Sequence, residues 1–338
     1  MSDRLMDLGR CGETDRGGPQ MSVTERASWL DDHRLEIDGY RFQVTAVPFG
    51  ESDDLLVVKP PDLVRRYLGL IDDEQPRRIV ELGVKEGGST ALLALAAQPE
   101  LLLAADLSPT APEALLRFAE RWGANTLFTA FGLDQADRLA LAAFVDSHLS
   151  GEGIDLVVDD ASHLVGPTTA SFEVLFPRLR SGGLYVIEDW TLEWTIASHL
   201  RRVASHLDIT DRIPVVTAIL ETLNAPDRQL PDELVASMAA VRAQKGPAAF
   251  EGRTLFEMMI EVAAEADTSS FDGGDLTRRR PMSDLAVMLT TLAAGWPDVV
   301  ASVTADSHWV TVRRGPADLD PARFRLTDLW DDHFGYLC

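Results

Sequence analysis

Residues 154–194 read IDLVVDDASHLVGPTTASFEVLFPRLRSGGLYVIEDWTLEW and contain the two apolar runs that decide the fold. The first run, IDLVV, ends in Asp159 and Asp160. The second run, GLYVI, ends in Glu188 and Asp189. A segment of helical length and a Pro/Gly turn lie between the runs, which is typical of two parallel strands joined by a crossover helix. Because neighbouring strands lie ~5 Å apart, we expect the two acidic pairs to meet at one edge of a sheet.

Such a crowd of carboxylates needs a neutralising partner. Like charges oppose one another at this spacing unless a cation lies between them. The available ligands are hard oxygens, and the sequence has no cluster of Cys and His residues around them. A site of this kind suits Mg²⁺ better than zinc.

The chain around this stretch alternates between strand and helix patterns. Upstream, the pattern predicts strands over 77–82, 101–106 and 126–130 and helices over 90–97, 112–122 and 137–149. Downstream, it predicts a helix over 284–294 and two antiparallel strands over 299–304 and 309–313. We therefore expect an α/β fold with a Rossmann-like, open, mostly parallel seven-stranded sheet and one antiparallel strand near the C-terminus. Ligands bind such sheets at the carboxyl ends of the strands.

The segments that flank the sheet divide the chain further. We expect a disordered tail over 1–24, an N-terminal cap over 25–72, a main domain over 73–315 and a docking tail over 316–338. The cap contains a hairpin around Asp38-Gly39 and a helix over 62–71. Helical patterns over about 205–280 indicate an insertion, which acts either as a lid or as an oligomerisation element.

Composition excludes several classes of protein. The 338 residues include 54 acids and 31 bases, which gives a net charge of −23 and disfavours nucleic acid as a partner. Cys11 and Cys338 are the two cysteines, so a disulfide framework is not expected. Neither a signal-peptide pattern nor an 18-residue apolar stretch occurs, and we expect a cytoplasmic protein without a membrane partner.

A glycine-rich turn, ELGVKEGGS, follows the first strand of the main sheet. Its glycines, at 83, 87 and 88, allow a backbone to approach a ligand closely. The spacing departs from the G-x-G-x-x-G fingerprint of dinucleotide-binding proteins, which disfavours an NAD-dependent oxidoreductase. E-x-G-x-x-x-G resembles the turn of Rossmann-like methyltransferases that use S-adenosylmethionine (SAM). The alternative is a tight strand–helix turn without a ligand.

Two further groups follow the next strands. Asp106 ends the second strand, where an acid can accept hydrogen bonds from both ribose hydroxyls or can cap a turn. Gly132-Leu-Asp-Gln-Ala-Asp137 follows the third strand. Asp134 and Gln135 either address an adenine ring or belong to the capped start of a helix.

The motifs DDASH and SFEVLFPRLRSGGLYVIEDW resemble the metal-dependent sugar O-methyltransferases of macrolide and related antibiotic biosynthesis, the mycinamicin- and macrocin-type enzymes, and the cephalosporin 7-methoxylation protein. The resemblance covers about residues 77–194. It implies that Mg²⁺ binds Asp160, Glu188 and Asp189, and that His163 is the general base. It also implies a set of SAM-binding residues: Glu81, Gly83, Lys85, Gly87, Ser89, Asp106, Ser108, Asp134, Gln135 and Asp159. The chain departs from the family in having Gly-Leu-Asp-Gln for Gly-Asp-Gln, and in residues 205–280, which do not resemble a segment of the family.

The resemblance predicts methylation of a hydroxyl on a small-molecule glycoside or diol by an enzyme that is a homo-oligomer. A cation can lower the pKa of a coordinated hydroxyl, and a histidine titrates in the range needed to take the proton. His163 alternatively lies in the first turn of a helix capped by Ser162, and Asp159 alternatively only ends its strand. Trp190 and Trp194 either stack on a sugar or face the core. A SAM-binding partner protein, inactive alone, is the alternative function.

Overall fold

The structure is a computed structural model. It describes residues 21–45, 54–123, 125–149, 151–191, 212–223, 230–245, 255–271 and 282–329. Within these ranges no helix is both long enough and apolar enough to cross a membrane. Residues 1–20 of the expected tail, residues 330–338, part of 205–280, and Trp194 lie outside the described residues.

The N-terminal cap contains the predicted hairpin and helix, and the hairpin is part of a four-stranded sheet. The strands are β1 (Ala27–Trp29), β2 (Arg34–Ile37), β3 (Tyr40–Val44) and β4 (Leu55–Val57), in that order, after the short helix α1 (Val23–Arg26). The predicted hairpin turns at Asp38 and Gly39, which both have positive φ. After β4 the chain enters helix α2 (Pro61–Glu74), which has proline at its N-terminus, where no hydrogen bond is lost.

The main sheet has seven strands, as predicted. They are β5 (Arg78–Leu82), β6 (Leu101–Asp106), β7 (Leu127–Phe131), β8 (Ile154–Asp159), β9 (Leu179–Glu188), β10 (Val300–Ala305) and β11 (Trp309–Arg314). Their order is β10-β11-β9-β8-β5-β6-β7, and β11 is the antiparallel strand. The chain runs from β5 outward to β7 and then returns to place β8 on the other side of β5. The crevice between β5 and β8 is therefore the point at which strand order reverses, where open α/β sheets bind ligands.

Helices cover both faces of this sheet. They are α3 (Gly88–Ala97), α4 (Glu113–Trp122), α5 (Arg138–Asp146), α6 (Val165–Leu175) and α10 (Met282–Gly295). A 3-10 turn at Phe176–Arg178 follows α6, and the numbers α7 to α9 belong to the three helices of the insertion. Alternation along β9 shows the two layers, because Leu184 and Val186 join one core cluster while Tyr185 and Ile187 join the other. The first cluster also contains α2 and the cap.

The described part of the insertion has a core of its own. Its helices are α7 (Ile213–Leu223), α8 (Asp232–Lys245) and α9 (Leu255–Glu265). Val216, Ile219, Leu234 and Ile260 are buried together in this third cluster. Whether it acts as a lid or in oligomerisation stays a prediction, as do the expected domain boundaries.

The segment after β11 returns to the main sheet. Phe324 and Leu326 are buried in the same cluster as α5, α6 and α10. The buried Glu173 of α6 accepts a hydrogen bond from the backbone nitrogen of Leu326 at 3.0 Å and forms ion pairs with Arg138 and Arg325. This part of the C-terminal segment thus docks on its own chain.

Candidate active site

A cavity of about 980 Å³ lies at the carboxyl ends of β5, β6, β8 and β9. This volume is at the upper end of the range of small-molecule sites, ~300–1,000 Å³. Its walls include most of the residues that the sequence predicts for the site: Gly83, Lys85, Ser89, Asp106, Ser108, Asp134, Gln135, Asp160, His163, Glu188 and Asp189. Residues of the cap also line it, among them Leu56, Lys59 and Leu63.

The glycine turn is held tightly against the end of β8. A β-carbon added to Gly83 would lie 2.1 Å from the backbone oxygen of Asp160, and its φ is +90°. Only glycine permits this approach. The close contact fixes the turn and the acidic end of β8 as neighbours.

Glu81, one residue before the end of β5, is fully buried beneath the turn. Its carboxylate accepts a hydrogen bond from the Thr90 hydroxyl at the start of α3. Burial raises the pKa of Glu81 to about 7, against an ordinary value of 4.5. Its role in cofactor binding stays a prediction.

Asp106 ties the glycine turn to the end of β6. Its Oδ2 accepts hydrogen bonds from the backbone nitrogens of Val84 at 2.7 Å and Lys85 at 2.9 Å. Its Oδ1 accepts from the nitrogen of Ser108 at 2.7 Å. The carboxylate therefore makes the turn contacts expected of a cap, and it also lines the cavity, where the ribose role is predicted.

Gln135 and Asp159 lie in a hydrogen-bonded network below the cavity. Asp159 Oδ2 accepts from the hydroxyls of Ser171 and Tyr185, each at 2.7 Å. Gln135 donates to Asp159 Oδ1 at 3.3 Å and accepts from the nitrogen of Ser162 at 2.9 Å. Asp159 is 2% exposed, and its burial raises its pKa. These contacts orient the loop after β8. Contact of Gln135 and Asp159 with SAM stays a prediction.

The loop after β7 contains two capping aspartates. Asp134 accepts from the backbone nitrogen of Ala136 at 2.8 Å. Asp137 is the N-cap of α5 and accepts from Leu139 and Ala140. Capping thus accounts for Asp137, and Asp134 both supports its own turn and lines the cavity.

The two acidic pairs meet as the strand order requires, because Asp159 lies opposite Ile187 in the β8–β9 register. Asp160, His163 and Asp189 each offer a ligand atom, and these atoms lie within 4.8 Å of one another. His163 Nε2 is 3.7 Å from Asp160 Oδ1. The helix α6 begins at Val165, so His163 precedes the helix and lies outside its first turn.

Lys59 is a site residue that sequence reasoning missed. Its Nζ donates to Asp160 Oδ2 at 2.6 Å and to Glu188 Oε1 at 2.8 Å, and the residue is 5% exposed. The Tyr67 hydroxyl also donates to Glu188 Oε1. In the sequence, Lys59 is marked only by the two prolines that follow it at the start of α2. That pattern does not indicate that its partners are carboxylates far along the chain.

Charge and burial perturb both members of this pair. Burial acts to lower the pKa of Lys59, but the charges of Asp160 and Glu188 outweigh it and raise that pKa above its usual value. Burial, followed by the charge of Asp160, raises the pKa of Glu188, while the charge of Lys59 and the hydrogen bonds from Lys59 and Tyr67 act to lower it. Strongly perturbed groups beside a cavity are typical of functional sites.

Trp190 follows the second acidic pair at the rim. Its Nε1 donates to the backbone oxygen of Asp306 at 2.6 Å, in the loop between β10 and β11. The ring also packs against the core cluster that contains β9. This position agrees with the core interpretation of Trp190 more directly than with stacking on a sugar.

Comparison with known proteins agrees with this geometry. Residues 80–190 match the protein family described as "Methyltransferase domain". The match covers about a third of the chain. It includes the glycine turn and both acidic pairs, and it confirms the resemblance noted in the sequence.

The domain has relatives among sugar O-methyltransferases. The chain is 56% identical over 41 residues to mycinamicin VI 2''-O-methyltransferase of Micromonospora griseorubida, covering 12% of this chain and 10% of the relative. It is 45% identical over 56 residues to 8-demethyl-8-alpha-L-rhamnosyl tetracenomycin-C 2'-O-methyltransferase of Streptomyces olivaceus, covering 17% and 14%. The matches thus span about a tenth of the curated relatives' length.

Among solved structures, the chain is similar to MycE methyltransferase from the mycinamycin biosynthetic pathway in complex with Mg, S-adenosylhomocysteine (SAH) and mycinamycin VI. The match has 15% identity and a TM-score of 0.39, covering 74% of this chain and 49% of MycE. The O-methyltransferase TomG of Streptomyces achromogenes in complex with SAM gives 16% identity and a TM-score of 0.41, covering 78% and 82%.

Proposed function

We propose that the protein is a SAM-dependent O-methyltransferase that acts on a hydroxyl of a sugar or vicinal diol in natural-product and antibiotic biosynthesis. The observation that carries the proposal is the single cavity that joins the glycine turn of the methyltransferase domain to Asp160, His163 and Asp189. The relatives named above supply the class of acceptor.

The cofactor half of the cavity is built around β5 and β6. The turn after β5 would receive the amino-acid end of SAM, and Asp106 would accept hydrogen bonds from the ribose hydroxyls. For this, its Oδ2 would share or exchange its present bonds to the turn. This half would bind SAM and orient its methyl group toward Asp160, Glu188 and Asp189, which together form the acidic edge of the cavity.

The acidic edge fits a divalent cation in part. Asp160 and Asp189 offer carboxylate oxygens beside His163, and Mg²⁺ prefers oxygen ligands. Glu188, the third expected ligand, binds Lys59 and Tyr67 through Oε1. When bound, Mg²⁺ would lower the pKa of a coordinated hydroxyl.

His163 would take the proton of the acceptor hydroxyl. An imidazole has an ordinary pKa of ~6.5, which suits a general base near neutral pH. In the transfer an oxygen–methyl bond would replace the sulfur–methyl bond of SAM, giving SAH, and His163 would keep the proton. Most of the acceleration would come from holding the oxygen in line with the methyl group.

Incubation with methyl-labelled SAM and a panel of deoxysugar glycosides, with Mg²⁺ or with EDTA, tests the proposal. We expect label in the glycoside, loss of transfer with EDTA, and a turnover ~100-fold or more lower for His163→Ala. Transfer that persists in Asp160→Asn with EDTA would remove the metal assignment. Absence of transfer to any acceptor, with intact SAM binding, would favour a SAM-binding partner protein. A cytoplasmic location and a homo-oligomeric state remain predictions.

A further inference from the structure

Lys59 reaches the acidic edge from outside the methyltransferase domain. It lies between β4 and α2, and β4 is packed against the start of α3 so closely that a β-carbon on Gly88 would be 2.0 Å from the Leu56 oxygen. Tyr67 lies on the buried face of α2, and its hydroxyl donates to the same Glu188 oxygen as Lys59. The cap therefore holds an ammonium group in a fixed place among the carboxylates.

This ammonium bonds to two of the three carboxylates that the sequence assigns to the metal. It lies 2.6 Å from Asp160 Oδ2 and 2.8 Å from Glu188 Oε1. The oxygen of Asp160 that faces His163 is the other one, Oδ1. The group that can hold a cation consists, among the described residues, of Asp160, His163 and Asp189, and it does not include Glu188.

We propose that Lys59 is a positioning residue that limits how tightly the site holds a divalent cation. This inference rests on the metal-assisted function proposed above. The lysine neutralises Glu188 and fixes one side of Asp160, so that a divalent cation has Asp160 Oδ1 and Asp189 as its carboxylate ligands. A positive charge a few ångströms away also opposes the binding of a second cation. Weak, exchangeable binding of the metal follows.

Electrostatics distinguishes two variants. Lys59→Met removes one positive charge and releases Glu188, so the site becomes more negative by one unit and gains a possible ligand. Lys59→Met combined with Glu188→Gln removes one charge of each sign and leaves the net charge of the site as it is. Replacing both members of a buried ion pair is also tolerated better than replacing one.

Binding of Mn²⁺ to the SAM-free protein, measured from the electron paramagnetic resonance signal of free Mn²⁺ at constant ionic strength, tests the proposal without any methyl transfer. We expect Lys59→Met to bind Mn²⁺ about tenfold tighter or more than the wild type, and the double variant to return to within about threefold of it. Lys245→Met is the matched control. It removes a lysine that pairs with Glu261 and Glu265 in the insertion, outside the cavity, and should leave the affinity unchanged.

Equal or weaker Mn²⁺ binding by Lys59→Met would overturn the proposal, as would a gain that survives in the double variant. Circular dichroism checks folding, and Lys59→Gln, whose amide can still donate to one carboxylate, is used if the methionine variant does not fold. The same tightening is expected for it. Labelled-methyl transfer is scored separately, so a protein that lacks transfer but shows the Mn²⁺ effect contradicts the methyltransferase function and supports the role of Lys59.

Discussion

His163 and Asp189 both have left-handed backbone conformations, with φ of 53° and 50°. Lys85, in the glycine turn, has a third, with φ of 49°. Such conformations cost ~1 kcal/mol or more for residues with a β-carbon. All three residues line the same cavity. Three of the six non-glycine residues with positive φ among the described residues thus lie at the proposed site, and the other three lie at a hairpin turn and at two helix ends.

Glu81 gives a pH-dependent prediction at the same scale. Because its pKa is about 7 in the folded protein and 4.5 ordinarily, the folded state holds the proton more tightly. The stabilisation that this provides is present below the lower value and is lost as the pH rises through the higher one. Glu81→Gln does not titrate, so its stability relative to the wild type should improve by ~2 kcal/mol between pH 5 and pH 8.

Urea denaturation of the SAM-free proteins at both pH values measures this difference. Glu100→Gln is the control, since Glu100 forms its ion pairs with Arg77 and Arg78 near the surface. A relative stability of Glu81→Gln that is the same at pH 5 and pH 8 would show that Glu81 is ionised at both.

At the scale of elements, the contact between β4 and α3 joins the cap to the helices that cover the main sheet. Gly88 and Gly166 both lie in the first turn of a helix, but a β-carbon would meet the Leu56 backbone at Gly88 and open space at Gly166. Gly88→Ala should lower the free energy of unfolding by ~2 kcal/mol. Gly166→Ala should be neutral or stabilising by up to ~1 kcal/mol.

Chemical denaturation of the two alanine variants provides the measurement. Fluorescence of Trp29 in the cap reports whether the cap separates first, if the other six tryptophans of the chain are replaced. Equal stabilities for the two variants would mean that β4 can move away from α3 at little cost, contrary to a fixed cap.

The elements of the main sheet could be predicted closely from sequence. The predicted strand 101–106 coincides with β6, and the first run of the stretch 154–194 becomes β8 with Asp159 as its last residue. Buried parallel strands are unbroken apolar runs, so their limits are visible in the sequence. The strands β1 and β4 are three residues each, too short to leave such a pattern.

The site was only partly predictable, for a physical reason. Asp106, Asp160, Glu188 and Asp189 end strands or follow them directly, so sheet order alone brings them together. Lys59 is 101 residues from Asp160 and 129 from Glu188 along the chain. Its contact depends on how the cap packs, which no local pattern encodes. The left-handed backbone of His163 is likewise set by tertiary structure.

For the molecule as a whole, Glu173 connects α6 to the C-terminal segment. It is 3% exposed and binds Arg138, Arg325 and the nitrogen of Leu326. Removing one partner of a buried ionic network leaves charges without compensation. Glu173→Gln should therefore lower the free energy of unfolding by ~2 kcal/mol. This figure already allows for solvent screening, because Arg138 and Arg325 are partly exposed.

Thermal or urea denaturation compares this variant with Glu113→Gln, which removes an exposed ion pair to Arg117 within α4. Such pairs contribute ~0.5 kcal/mol or less. A similar small effect for both variants would mean that apolar contacts such as those of Phe324 and Leu326, and not Glu173, hold the C-terminal segment.

In the proposed function, one cavity has a cofactor half, at the turn and Asp106, and a reacting half, at Asp160, His163 and Asp189. Calorimetric titration of SAH into the wild type, Asp106→Asn and His163→Ala tests this division most directly. We predict that Asp106→Asn weakens SAH binding ~10-fold or more, because hydrogen bonds to a charged acceptor are lost, and that His163→Ala stays within about threefold of the wild type. Loss of SAH binding in His163→Ala, or unchanged binding in Asp106→Asn, would contradict it.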